Sequence, residues 1–193
     1  SAAALAIFAV MYVSGLAYNR LSKKHVYRAG IYIALCFGPM PLFSFVATAG
    51  YPAVIHDHAI WLVTAYLHLQ IYYQNAISGS LKDLVADHDN IMARLGMKII
   101  VTPTIPGSNR FLSVGKLVPS LAGFVYSTLV KGAPVVPLYF LLQGQGNVLI
   151  VIVYTLFYAG WFIGTLNTRS QLWDNRKVVK RAALIEILTF YAL

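Results

Sequence analysis

The sequence predicts an all-α, polytopic membrane bundle: about five transmembrane helices, an amphipathic interfacial helix and a sixth, incomplete helix at the C-terminus. Three observations carry this. Of the 193 residues, 59% are hydrophobic and only 11% charged, against about 25% charged in soluble domains. Apolar runs long enough to cross a hydrocarbon core of about 30 Å recur along the chain. Lys and Arg gather in alternate loops between those runs, the pattern that sets membrane orientation. Residues 1–193 fit one integral membrane domain.

The first run is 2–18, a span rather than a secretion signal, since no charged segment precedes it. A basic loop with Arg20, Lys23, Lys24 and Arg28 follows. The second span, 29–50, is interrupted by Gly38-Pro39-Met40-Pro41. Proline removes a backbone donor and clashes with the preceding turn, so a kink is expected there. A short loop holding His56, Asp57 and His58 leads into the third span, 59–77.

Residues 80–99 repeat apolar side chains at spacings of three and four, from Leu81 to Ile99. Lys82, Asp83, Asp87, Asn90 and Arg94 fall on the other side. That is the pattern of a helix lying in the headgroup region. Val101–Arg110 reads as an irregular turn. The stretch 111–142 admits two readings. A long bent helix over Leu117–Leu142 puts Lys131 in mid-membrane. A helix over Phe111–Val130 puts Lys131 at the edge, where its ammonium reaches water, and this second placement is favoured.

The span 147–166 holds no charge and contains Gly160 and Gly164, spaced for close helix packing. A basic segment with Arg176, Lys177, Lys180 and Arg181 precedes the final apolar run. The basic loops carry 4, 5 and 5 Lys or Arg at 19–28, 78–116 and 167–181, that is 14 of the 15 in the chain. The loops 51–58 and 143–146 carry none. The N-terminus and the His56–His58 loop are therefore expected on the non-cytoplasmic side.

The candidate chemistry is sparse. Thr64, His68, Tyr72 (or Ile71) and Asn75 follow helical spacing and form a polar stripe inside the third span. Polar groups in lipid-spanning helices face protein or water. His56 and His58 are candidate metal ligands that need a third partner, and Asp57 suits a helix N-cap. No catalytic motif occurs, and Cys36 stands alone. Arg20, Lys23, Lys24, Arg28, Arg176, Lys177, Lys180 and Arg181 suit lipid headgroups. The expected partners are the bilayer, bound phospholipid, and other membrane subunits or a second copy, with no nucleic acid and no evident cofactor.

These features imply a non-catalytic membrane subunit of an energy-transducing or transport complex. The alternative is a small oligomeric transporter or channel using His68 and the Pro39/Pro41 break. A weaker alternative is an interfacial lipid-modifying enzyme near His88 and Arg94. The orientation is testable. Epitope tags inserted after Ser108 and after Gly144 are expected to be reached by antibody from opposite sides of the membrane. Access to both from one side contradicts the arrangement.

Overall fold

A computed structural model describes residues 1–22, 26–80, 84, 89–101, 115–118, 120–143, 149, 152 and 156. It is helical almost throughout. Helix α1 spans Ala2–Leu21, with the Ser1 hydroxyl accepting from the Ala4 amide. Its sequence is apolar on every side, and most of its residues lie exposed or half-buried, as suits a helix surrounded by lipid. Helices α2 (Val26–Phe37) and α3 (Met40–Ala49) are one apolar stretch broken at Gly38-Pro39. The Gly38 amide still donates to Ala34 at 2.7 Å. Pro39 has no amide hydrogen to continue the ladder, and Pro41 sits in the first turn of α3, where none is needed.

Gly50 ends α3 with φ +83° and ψ 161°, a conformation open essentially to glycine alone. The chain reverses there into α4 (Tyr51–His56) and then α5 (His58–Tyr73). Asp57 caps α5, its carboxylate accepting from the amides of Ala59 and Ile60. The Trp61 indole donates to the Val54 carbonyl at 3.0 Å and pins the corner. A π-helical segment, Gln74–Gly79, prolongs α5.

Asn90 then joins two elements. Its amide nitrogen donates to the Ser80 carbonyl, and its oxygen accepts from Met92 and Ala93 to cap the short helix α6 (Ile91–Arg94). Strands β1 (Lys98–Val101) and β2 (Gly115–Val118) pair antiparallel, Lys98 opposite Val118. Helices α7 (Leu121–Gly132) and α8 (Val135–Gln143) follow, separated by Ala133-Pro134. Ser120 binds the end of α6 to the start of α7, donating to the Leu95 carbonyl and accepting from Gly123.

Helix α5 is the hub, packed against α2, α3, α4, α7 and α8, while α1 packs on α2 and α3. One apolar cluster joins Ala4, Val46 and Val54; another joins Tyr66, Leu138 and Leu142. Close approaches pair Gly15 with Cys36, Gly38 with His68 and Gly30 with Tyr72. Consecutive long elements therefore run antiparallel. Ser1, Gly50 and Gln143 share one end of the bundle; Leu21, Arg28, Ser80 and Ser120 share the other.

Among the described residues, three helices are long and apolar enough to cross a membrane: Ala2–Leu21, Arg28–Ala49 and Leu121–Gln143. The third expected span is helical but not among them, because His68, Gln70, Gln74 and Asn75 dilute its apolar content. The interfacial helix expected over 80–99 is corrected at its C-terminal end. Gly96, at φ +85°, turns the chain after α6, and Ile99 lies in a strand. Asn90, expected on the outer side, is buried among its hydrogen bonds. Lys131, for which the sequence left both placements open while favouring the edge, lies near the middle of Leu121–Gln143 and is 8% exposed. The long bent helix is thus the better description, starting at Leu121 rather than Leu117. Leu149, Ile152 and Leu156 are helical and exposed on one face; the rest of 147–166 and the C-terminal run lie outside the described residues.

The caps make a stability prediction. Asp57→Ala is expected to cost about 1 kcal/mol, and Asn90→Ala about 2 kcal/mol, since a buried amide with three bonds is lost. Thermal unfolding in detergent checks both. Equal midpoints for wild type and Asn90→Ala contradict the double-cap role.

Candidate functional site

Helix α5 carries polar groups on two faces. Thr64, His68, Tyr72 and Asn75 form the first. Three of them turn back on their own helix. The Thr64 hydroxyl donates to the Ile60 carbonyl at 2.7 Å, and the Asn75 amide to Ile71 at 3.2 Å. His68 Nδ1 lies 2.9 Å from the Thr64 carbonyl. A carbonyl can only accept, so Nδ1 carries a proton and donates it. Among the described residues, Tyr72 is the member of this set that hydrogen-bonds to another element, its hydroxyl 2.6 Å from that of Tyr126 on α7.

What brings this face against α2 is the absence of side chains opposite. A Cβ on Gly38 would lie 2.5 Å from the His68 ring, and one on Gly30 would lie 2.9 Å from the Tyr72 ring. Both are far inside van der Waals contact. The imidazole thus sits directly on the α2–α3 break. The stripe and the break are each legible in the sequence; the two glycines are what join them.

The second face holds Tyr66, Gln70, Tyr73 and Ile77, at spacings of four, three and four. It turns toward α7 and α8. Tyr66 packs on Leu138 and Leu142, with Val135 beside them. The Lys131 ammonium lies 3.9 Å from the centre of the Tyr73 ring, a cation–π contact. Gln70 is 5% exposed, and neither its amide nitrogen nor its oxygen has a hydrogen-bond partner among the described residues. Ser127, on the Lys131 helix, is fully buried, its hydroxyl 3.9 Å from the Met92 sulfur. This face was missed as a unit, although the spacing of 66, 70, 73 and 77 could have found it.

The remaining candidates are scattered. His56 and His58 are exposed on either side of Asp57, whose carboxylate is engaged by the α5 amides. No group of three His, Cys, Asp or Glu that could hold a metal forms among the described residues. Arg20 and Arg28 are exposed at the end of the bundle where α1 meets α2. Arg94 pairs with Asp89 at 2.7 Å. Lys23, Lys24, His88, Gly160, Gly164, Arg176, Lys177, Lys180 and Arg181 lie outside the described residues.

No family model, curated protein or solved structure matches the chain. The site therefore stands on its own geometry.

The Gly38–His68 contact is testable. Gly38→Ala is expected to destabilise by about 1–3 kcal/mol through overpacking. His68→Ala in the same chain should recover part of the loss. The recovery is incomplete because the Ala34 carbonyl also lies 2.6 Å from the added Cβ. Additive losses in thermal unfolding of the double variant contradict the contact.

Proposed function

We propose that the chain is a multi-pass membrane protein whose central helix lines an internal polar site for a small solute, acting as a small transporter or channel. The supporting observation is the position of α5. It carries His68 and Gln70 on two of its faces and touches most of the other helices. On each side of it lies a helix pair broken at proline, at Gly38-Pro39 and at Ala133-Pro134. Interrupted helices around a polar centre are a recurrent way to build a solute site in a bilayer, because the broken turns release backbone groups where side chains converge.

In this arrangement α5 crosses the membrane despite its polarity, since its polar faces are covered by protein. The Arg20, Arg28, Arg94 and Ser80 end is the cytoplasmic one, and the His56–His58 corner lies opposite. The arginines at the first end suit phospholipid headgroups. The accessory-subunit reading comes second. It is favoured by α1, where Leu5, Phe8, Val10, Tyr12, Val13 and Leu16 are exposed and could be covered by a neighbouring subunit or a second copy as well as by lipid. For the lipid-modifying reading, His88 lies outside the described residues and Arg94 pairs with Asp89 at the surface, so no observation favours it.

Proteoliposomes test the proposal. Flux of small solutes, followed by vesicle swelling, is expected with the wild type. It should fall about tenfold in His68→Ala, the loss expected from one interaction of ~1.4 kcal/mol. No flux for any solute, with other proteins co-purifying stoichiometrically in mild detergent, favours the subunit instead.

A further inference from the structure

We infer that Gln70 is the recognition group of a hydrated site between α5 and the α7–α8 break, and that this site takes a small neutral group that both donates and accepts a hydrogen bond. The inference names the ligand chemistry of the solute site proposed above and rests on that site being the polar interior around α5.

Position comes first. Helix α5 runs antiparallel to α7 and α8. Tyr66 meets Leu138 and Leu142 near one end of the contact, and Tyr73 meets Lys131 near the other. Gln70 lies between Tyr66 and Tyr73 on the same face, so it comes level with residues 133–135. That is the interruption between α7 and α8. Pro134 brings no N–H to the carbonyl of Val130, and Pro137 brings none to Ala133, whose carbonyl accepts instead from Val136 at 3.2 Å. Pro134 and Pro137 are both buried. The broken backbone ladder thus falls at about the height of the Gln70 amide, between the Tyr66 and Tyr73 contacts.

Chemistry follows from the amide itself. Gln70 is 5% exposed with both polar atoms unpartnered among the described residues. Leaving such groups unsatisfied costs about 1–3 kcal/mol each. A cation would satisfy only the carbonyl oxygen and leave the NH2 group buried. An anion would do the reverse. A neutral group carrying a donor beside an acceptor satisfies both at once: water, an alcohol hydroxyl or a carboxamide. The walls fit this. Tyr66 and Tyr73 offer aromatic surface on either side, and the Lys131 ammonium over Tyr73 makes the neighbourhood unfavourable for a cation.

Thiol labelling tests the inference, and the chain has a single cysteine to remove. In a Cys36→Ala background, the Gln70→Cys variant is expected to react with a charged, water-soluble methanethiosulfonate. The rate should be about tenfold or more above that of Ile77→Cys, because a thiol ionises only where water reaches it. Ile77 is fully buried in apolar packing and reports the dry interior. Acetamide, the probe for a neutral donor–acceptor group, should slow labelling of Tyr66→Cys, which keeps Gln70 in place, while sodium chloride at the same concentration should not, and adding Gln70→Leu should abolish the protection. If Gln70→Cys does not fold, pulsed hydroxyl-radical footprinting of the wild type takes its place. Tyr73, 1% exposed, is then expected to be oxidised ahead of the fully buried Met92, although methionine is the more reactive side chain.

Labelling no faster than at Ile77, or a footprint with Tyr73 silent, overturns the site. Labelling slowed by chloride but not by acetamide overturns its neutral selectivity. Labelling without solute flux in proteoliposomes keeps this site and removes the transport proposal; flux with a dry Gln70 does the opposite.

Discussion

Covering the polar side chains of α5 is the constraint on which the rest of the structure depends. A helix with His68, Gln70, Gln74, Asn75 and several tyrosines is poorly suited to lipid, where each uncovered polar group is costly. It becomes stable at the centre of the bundle only if its neighbours come close. Gly30 and Gly38 allow this on the α2 side by leaving room for the Tyr72 and His68 rings. On the other side, the Tyr72–Tyr126 hydroxyl pair and the Lys131–Tyr73 contact fasten α7. The apolar helices α1, α2–α3 and α7–α8 then face outward, and their exposed Leu, Val and Phe side chains are what a bilayer would solvate.

The same arrangement places both helix interruptions where they can matter. A proline break on a lipid-facing helix would leave a carbonyl with nothing to bind. Here Gly38-Pro39 is buried against His68, and Ala133-Pro134 comes level with Gln70. Each break thus spends its irregularity on the interior. His68 is held by the Thr64 carbonyl through Nδ1, which donates to it. Gln70 has an open donor and an open acceptor. Two chemically different groups, two residues apart and so on separate faces of α5, present polar chemistry to α2–α3 on one side and to α7–α8 on the other.

Much of this was legible in the sequence. The helix period placed Thr64, His68, Tyr72 and Asn75 on one face, and hydropathy marked five spans, of which 2–18, 29–50 and 111–142 overlap the three helices apolar enough to cross a membrane among the described residues. Proline chemistry located the break after Gly38. Asp57 as a cap followed from its place before an apolar run. What was not legible depended on tertiary contact. Nothing local marks Gly30 and Gly38 as sites of close approach, because glycine also serves turns and kinks. Lys131 looked like an edge residue, since burial of an ammonium is decided by a partner ring 58 positions away in sequence, at Tyr73. The helix expected through Ile99 failed for a local reason that could have been weighed more heavily. Gly96 takes a left-handed conformation, and β-branched Ile99, Ile100 and Val101 favour a strand once the helix has ended.

The π-helical segment fits the same logic. Widening the helix at Gln74–Gly79 inserts an extra residue into the turn, and it does so just beyond Tyr72 and Tyr73, where α5 leaves the tyrosine contacts. The wider turn sets Ala76 against Gly30, where an added Cβ would lie 3.4 Å from it, and buries Ile77 completely. Gln74 is turned outward instead. Its far end is held from outside the helix, by the Asn90 amide on the Ser80 carbonyl. The irregular turn is therefore clamped at one side by close packing on α2 and at its end by a cap from α6. A segment with unfavourable hydrogen-bond geometry persists only when its surroundings determine it this fully. Its effect is to let one helix present the His68 face to α2 and the Gln70 face to α7–α8, while its last turn serves the end of the bundle that carries the arginines.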